Sequence, residues 1–207
     1  MPPLTPEACA AEVGIDAAAL DRLRAYADLL TTWQRRINLV GARTLEDLWR
    51  RHMLDSAQLF PLLPAGTQSL LDLGSGAGFP GLVLAILGVP NVHLVESDAR
   101  KCAFLQEAAR LTGTSVAIHR RRIEAIEPFP VDVITARACA PLSKLLGFVE
   151  PFLSPSTICV FPKGRKADEE LTDSQKNWMI ETTRIPSLSD PGARILILED
   201  IRRRYDS

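Results

Sequence analysis

No run of this 207-residue chain stays apolar for the ~20 residues that a membrane-crossing helix requires. Met1 to Val13 lack a basic stretch followed by an apolar core, so no secretory signal is expected there. Cysteine is scarce. The four residues (Cys9, Cys102, Cys139, Cys159) form no C-x-x-C pair, which argues for reduced core thiols over disulfides or a metal cage. The three histidines, His52, His93 and His119, lack the spacing of a zinc set. No metal is therefore expected, and the cytoplasm is the expected compartment. Internal repeats and low-complexity tracts are missing too. What remains, with 46% hydrophobic and 24% charged residues, is an ordinary globular protein with a monomer as its default state.

The total charge of −1 carries no signal, but its distribution does. Between His119 and Lys166 lie eight cations (Arg120, Arg121, Arg122, Arg137, Lys144, Lys163, Arg165, Lys166) against four acids (Glu124, Glu127, Asp132, Glu150), a local excess of +4. One basic face on a near-neutral protein is compatible with a nucleic-acid substrate.

Up to about Leu63 the apolar residues recur at helical spacing: Leu20, Leu23, Tyr26, Ala27, Leu30 and Trp33, then Leu45, Leu48, Trp49 and Leu54. Pro61, Pro64 and Gly66 mark a boundary. This divides the chain into a helical N-terminal segment, residues 1–65, and a second domain, residues 66–207. In the second domain strands are expected at 69–73, 92–95, 115–118, 131–135, 157–161, 179–185 and 194–199, and helices at 80–87, 99–112, 142–150 and 167–177. That alternation predicts an α/β fold with a mostly parallel seven-stranded sheet, its last two strands forming an antiparallel hairpin at the edge.

The most informative stretch runs from Leu70 to Gly81, LLDLGSGAGFPG. A short strand ends in Asp72, three alternating glycines follow (Gly74, Gly76, Gly78), and Pro80 suits the first turn of a helix. Strand, glycine turn and helix make the floor of a nucleotide-like site, with glycine where a Cβ would obstruct a ligand. Gly76 to Gly81 match the dinucleotide fingerprint G-x-G-x-x-G, a weak signal alone. The longer D-x-G-x-G-x-G resembles the first motif of the S-adenosylmethionine methyltransferases, whose donor carries a sulfonium and an amino group. Asp72 would attract such cations and repel a pyrophosphate, and Pro80 removes an N–H that a phosphate would use. A second strand ends in Glu96, close to the spacing at which a carboxylate meets ribose hydroxyls, although an acid there also suits a helix N-terminus. Ser97 is the expected cap of that helix. Ligands bind beyond the carboxyl ends of such strands. Arg120 to Arg122, Arg137, Lys163, Arg165 and Lys166 follow the third, fourth and fifth strands, which favours contact with phosphate or RNA.

Together with Glu96-Ser97 and KCAFL at Lys101 to Leu105, the glycine stretch resembles the bacterial GidB family, 16S rRNA guanine-N7 methyltransferases. Trp33, Asn38-Leu39-Val40 and Arg51-His52-x-Leu54-Asp55-Ser56 resemble that family's helical segment; Arg122-Ile123-Glu124, Arg137-Ala138 and Lys163-Gly164 resemble its later motifs. The resemblance implies a Rossmann-like, S-adenosylmethionine-dependent methyltransferase fold. It implies a cofactor site of Asp72, Gly74, Gly76, Gly78 and Phe79, with Glu96 at the ribose, Ile123 and Glu124 at the adenine, and Arg137 beside donor and substrate. Arg137 and Lys163 would fix the target nucleotide, and Arg122, Lys163 and Arg165 would hold 16S rRNA within the 30S subunit. The C-terminus departs from the family's lysine-rich ending: Leu196-Ile197-Leu198-Glu199-Asp200 precede Arg202 to Arg204. The Asn-Pro-Pro motif of exocyclic amino methyltransferases is absent. Attack by a cysteine on a pyrimidine C5 would nominate Cys139, whose plainer role is a small buried side chain. His52 with Asp55 one turn later is expected to tie the helical segment together, and Trp33 and Trp49 to lie in the core. The alternatives are a dinucleotide-binding oxidoreductase, a methyltransferase acting on another RNA, and a non-catalytic RNA-binding module.

Overall fold

The computed structural model describes residues 2–204; the expected domain limits at residues 1 and 207 fall outside them. The N-terminal segment contains α1 (Pro6–Val13), α2 (Ala17–Gln34), a 3-10 turn (Ala42–Asp47), a π-helical turn (Trp49–Leu54) running into α3 (Asp55–Ala57), and a 3-10 turn at Phe60–Leu62. Thr5 and Asp16 cap the first two helices, their side-chain oxygens accepting from Ala8 N (3.1 Å) and Ala19 N (2.7 Å). Then follow β1 (Leu70–Leu73), α4 (Gly81–Ile86), β2 (Val92–Val95), α5 (Ala99–Leu111), β3 (Val116–His119), β4 (Val133–Ala136), α6 (Leu142–Val149), β5 (Ile158–Lys163), α7 (Ala167–Ser174), β6 (Trp178–Pro186) and β7 (Arg194–Arg203). All seven expected strands and four expected helices form. The largest boundary differences are β7, four residues longer than expected, and α7, three shorter. The cap of α5 is Asp98, not Ser97: its carboxylate accepts from Arg100 N (2.8 Å) and Lys101 N (3.2 Å), a stronger anchor than a hydroxyl.

The strands form one sheet in the order β3-β2-β1-β4-β5-β7-β6. β1 to β5 are parallel; β7 runs antiparallel to both β5 and β6, so the expected hairpin closes the edge. The two-residue period of a strand sorts side chains between two cores. Leu70, Val133, Val160 and Ile195 face a core shared with α2, α4 and α5, which also takes in Leu23, Tyr26 and Leu30 of the N-terminal segment. Leu71, Ile134, Cys159 and Leu196 face the other core, with Leu142, Leu145 and Leu171 of α6 and α7. The N-terminal helices thus bury their apolar stripe on the sheet domain. Trp33 and Trp49 pack against that same core, and the Trp33 ring meets Phe104 edge-on at 5.6 Å. Among the described residues no helix is long and apolar enough to cross a membrane, and no cluster of His, Cys, Asp and Glu could hold a metal ion.

Candidate functional site

The glycine turn after β1 is a packed object as much as a ligand cradle. Asp72 alternates with Leu71 and Leu73 and so points under α4, where it is fully buried. One carboxylate oxygen accepts from Thr135 Oγ1 (2.8 Å) and the other from Gly81 N (3.3 Å). Burial raises its pKa to about 6, offset in part by those hydrogen bonds and by Arg137. The expected attraction of a cationic ligand by Asp72 is thus replaced by a structural role: the side chain ties β1, β4 and α4 together beneath the turn.

The glycines divide likewise. A Cβ at Gly81 would lie 2.5 Å from Leu94 Cδ2 and 2.6 Å from Asp72 Cβ, and one at Gly78 2.8 Å from Leu82 Cβ, so both exist for close packing. Gly76, at φ +57, has nothing nearer than a backbone oxygen at 3.9 Å; its open side is where a ligand can reach the backbone. The Tyr26 hydroxyl donates to Ala77 O, so α2 of the N-terminal segment holds the turn from below. Glu96 stands at the end of β2, half-buried. Its Oε2 accepts from Gly76 N (3.0 Å) and its Oε1 from Asp98 N (2.7 Å), which serves both the turn and the start of α5. Glu96 N donates to His119 O (3.1 Å), joining the ends of β2 and β3. Ile123, part-buried, and Glu124, exposed, lie on the short turn that follows β3.

A cleft of about 810 Å³ opens between this turn and the ends of β4 and β5. Gly74, Gly76 and Phe79 line it with Arg137, Cys139 and Lys163, while its far wall comes from Arg51, His52 and Asp55 and from the turn between β6 and β7. Arg137 is only 16% exposed. Its Nη1 donates to Asp55 Oδ2 (3.0 Å) and Arg51 O (3.1 Å), its Nη2 bonds His52 Nδ1 (2.9 Å), and its guanidinium lies 4.9 Å from the centre of the Phe79 ring. Lys163, 10% exposed, donates to Glu170 Oε2 and Ala140 O, both at 2.9 Å. Cys139 presses on Gly74, whose Cβ would sit 2.8 Å from its sulfur; burial first, then Asp72, pushes its thiol pKa up, the wrong direction for a nucleophile.

The predicted residues are therefore only partly brought together. Gly74, Gly76, Phe79, Arg137 and Lys163 share the cleft. Asp72 and Gly78 support it from beneath; Glu96 touches it only through Gly76 N, and Ile123 and Glu124, on the turn after β3, are not part of its lining. Arg122 and Arg165 are exposed and are not part of its lining. Arg120 to Arg122 follow β3, at the same carboxyl edge of the parallel strands as Arg137 and Lys163, but β2, β1 and β4 separate β3 from β5. The sequence pattern missed the far wall. His52 and Asp55 do tie the helical segment together, through Thr44 and Gln58, and they also cross to Arg137, which the sequence pattern does not show. Glu170, the partner of Lys163, carried no signal because its spacing to Lys163 is meaningful only once β5 and α7 are folded.

A family model described as rRNA small subunit methyltransferase G, GidB, matches residues 19–196. A relative from Paramagnetospirillum magneticum named "Ribosomal RNA small subunit methyltransferase G" is 57% identical over 96% of this chain and 97% of its own length. Another of that name from Rhodospirillum rubrum is 58% identical over 97% of this chain and 100% of its own. Among solved structures, M. jannaschii TYW2 in complex with AdoMet aligns at TM-score 0.57 and 16% identity over 82% of this chain and 80% of that one. The ribosomal protein L11 methylase of Lactobacillus delbrueckii subsp. bulgaricus aligns at TM-score 0.56 and 16% identity over 75% and 79%. These structures share the Rossmann-like fold, and the family match sets aside the dinucleotide oxidoreductase alternative. With its glycine turn, its paired cleft cations and a match over most of its length, the chain belongs to the GidB family of small-subunit rRNA methyltransferases.

Proposed function

We propose that this protein transfers the methyl group of S-adenosylmethionine to N7 of a single guanine in 16S rRNA, acting in the cytoplasm on the 30S subunit. The observation that carries the reading is one cleft that joins the open side of Gly76 to the guanidinium of Arg137 and the ammonium of Lys163. The donor set suits the cofactor: an open glycine backbone beside the carboxylate of Glu96, with Ile123 and Glu124 on the adjoining turn.

When bound, S-adenosylmethionine supplies a methyl group already activated by its sulfonium. Guanine N7 carries an in-plane lone pair that could take this methyl group directly, the electron pair of the broken carbon–sulfur bond staying with the donor's sulfur. No proton leaves the base, so no general base is required, in keeping with a cleft whose histidine is engaged on both ring nitrogens. The work left to the side chains is placement: they would hold the guanine with N7 at a near-attack distance of ~3–3.5 Å from the methyl group and keep water out. Among the described residues Arg137 makes three bonds, all to the N-terminal segment, which leaves two of its five N–H groups for a bidentate grip on phosphate. Lys163, with two bonds among the described residues, keeps one N–H for the nucleotide.

The test is incubation with radiolabelled S-adenosylmethionine and undermethylated 30S subunits, naked 16S rRNA and transfer RNA in parallel, followed by strand cleavage specific for 7-methylguanine. Label at one guanine of 16S rRNA supports the reading. Label at another base, or only in transfer RNA, refutes it.

A further inference from the structure

The far wall of the cleft comes from a part of the chain that family-wide chemistry of the glycine turn does not need. Three of the five N–H groups of Arg137 are taken by one short helical stretch: Arg51 O, His52 Nδ1 and Asp55 Oδ2. The opposite nitrogen of His52, Nε2, lies 2.7 Å from Thr44 Oγ1. Since Nδ1 must accept from a guanidinium that has only donors, the ring is the neutral tautomer with its proton on Nε2, donated to Thr44. Its face packs on Phe79, 4.9 Å between ring centres, the same ring that lies beneath Arg137. Asp55 spends its second oxygen on Ser189 Oγ (2.5 Å) and Gln58 Nε2 (3.3 Å), and Gln58 in turn accepts from Leu188 N (2.7 Å). The π-helical turn at Trp49–Leu54 brings His52 and Asp55 to the same guanidinium, and π turns of this kind are common at functional sites.

We propose that His52 and Asp55 are positioning residues for methyl transfer, a clamp from the N-terminal segment that fixes the Arg137 guanidinium and leaves its two remaining N–H groups aimed at the target nucleotide. The inference rests on the methyltransferase reading above. A guanidinium on a flexible stem samples many orientations; three hydrogen bonds and an aromatic floor reduce these to one before RNA arrives. The segment is then part of the active site, not a lead-in to it. Asp55 also fastens the β6–β7 turn to the same clamp, so both halves of the far wall move as one.

The experiment compares His52→Phe, which keeps a ring on Phe79 but removes the acceptor, with His52→Asn, whose amide oxygen can restore it, and with Asp55→Asn, which keeps shape and removes charge. For each, single-turnover methylation of 30S subunits is measured beside S-adenosylmethionine affinity. The ¹H–¹⁵N signals of the Arg137 guanidinium in the free protein report its rotation independently of activity. The expected result for His52→Phe and Asp55→Asn is a fall in methylation rate of about 10²-fold, the cost of a misplaced reacting group, with cofactor affinity unchanged. Arg137 Nη signals resolved in the wild type collapse into exchange-broadened ones, and His52→Asn recovers much of the rate. Variants that methylate at the wild-type rate, or that leave the Arg137 signals as they were, overturn the clamp. A wild-type protein that labels no RNA instead overturns the function on which the clamp rests, a distinguishable failure.

Discussion

Gly81→Ala separates packing from ligand contact within a single motif. The added methyl would lie 2.5 Å from Leu94 Cδ2, 2.6 Å from Asp72 Cβ and 2.8 Å from Asp72 Oδ2, all well inside normal contact. Leu94 can turn its side chain, but Asp72 Cβ is fixed to the centre of β1 and cannot swing away. Relief must come from α4 lifting off the sheet. Overpacking of this kind costs about 1–3 kcal/mol. Lifting α4 also lengthens the 3.3 Å bond from Gly81 N to a wholly buried carboxylate, worth about 1 kcal/mol more. The sum, about 2–4 kcal/mol, is a large part of an ordinary domain's stability and corresponds to a Tm decrease of about 4–16 °C in a chain of this size. Gly76→Ala is the control: its methyl meets no close neighbour, and the cost is the left-handed backbone at φ +57, about 1–2 kcal/mol, with a loss of S-adenosylmethionine affinity on its open side. Thermal denaturation and isothermal titration of the two variants read the two effects. A Gly81→Ala protein that melts with the wild type, or a larger Tm loss in Gly76→Ala, would refute the division of labour drawn here.

Three further outcomes follow from the same geometry. Cys139→Ala retains the wild-type methylation rate, because a half-buried thiol with a raised pKa is a poor nucleophile; inactivity in a folded variant would restore the covalent route. Arg137→Lys keeps a cation beside Asp55 but loses the fork, so the rate falls about 10²-fold while S-adenosylmethionine binds as before; equal loss of both would remove Arg137 from the substrate side. For pH, Asp72 at about 6 against an ordinary 3.8 favours the folded state only while protonated, so its contribution declines as pH rises from about 4 to 6. His52 is pushed down to about 3 from 6.5, by burial and then by Arg137 and Arg51, so its contribution is full above 6.5 and declines as pH falls below it. The two slopes oppose each other between pH 4 and 6. Urea titrations of His52→Asn should therefore show stability falling by about 3 kcal/mol across that window as pH rises, and Asp72→Asn the reverse; parallel curves for both variants would refute the assignment.

The sheet was legible because parallel strands buried on both faces read as short apolar runs, as Leu70 to Leu73 and Val131 to Thr135 do. The last helix was overestimated because Gln175 to Asn177 suit a helix by composition, whereas the chain must turn there to enter β6. The motif at β1 gave the right fold with an incomplete chemistry. Asp72 stands next to the glycines in sequence, but strand alternation turns it away from the ligand side, and only the partners at Thr135 and Gly81 reveal what its carboxylate does. Glu96 was legible in position; that its two oxygens are engaged by Gly76 N and Asp98 N depends on a turn whose shape no spacing encodes. Arg122 and Arg165 follow strands that carry other cations, yet the strand order separates the β3 end from the β5 end.

The far wall of the cleft shows why reading elements one at a time falls short. His52 and Asp55 are three apart, a spacing that places two side chains on one face of a helix, where they are expected to tie the helical segment together. They do so through Thr44 and Gln58, but the stretch is wound as a π turn packed on Phe79, so their shared face also looks across the cleft to Arg137 after β4. The same fact explains the low exposure of Arg137 and Lys163. Each is held by a carboxylate, Asp55 or Glu170, and both pairs are largely shielded from water. Paired cations in a chain of net charge −1 exert little long-range pull on a polyanion. Recognition by such a cleft rests on shape and on the few N–H groups left unspent, which suits a nucleotide already presented by folded RNA better than a flexible strand gathered by charge.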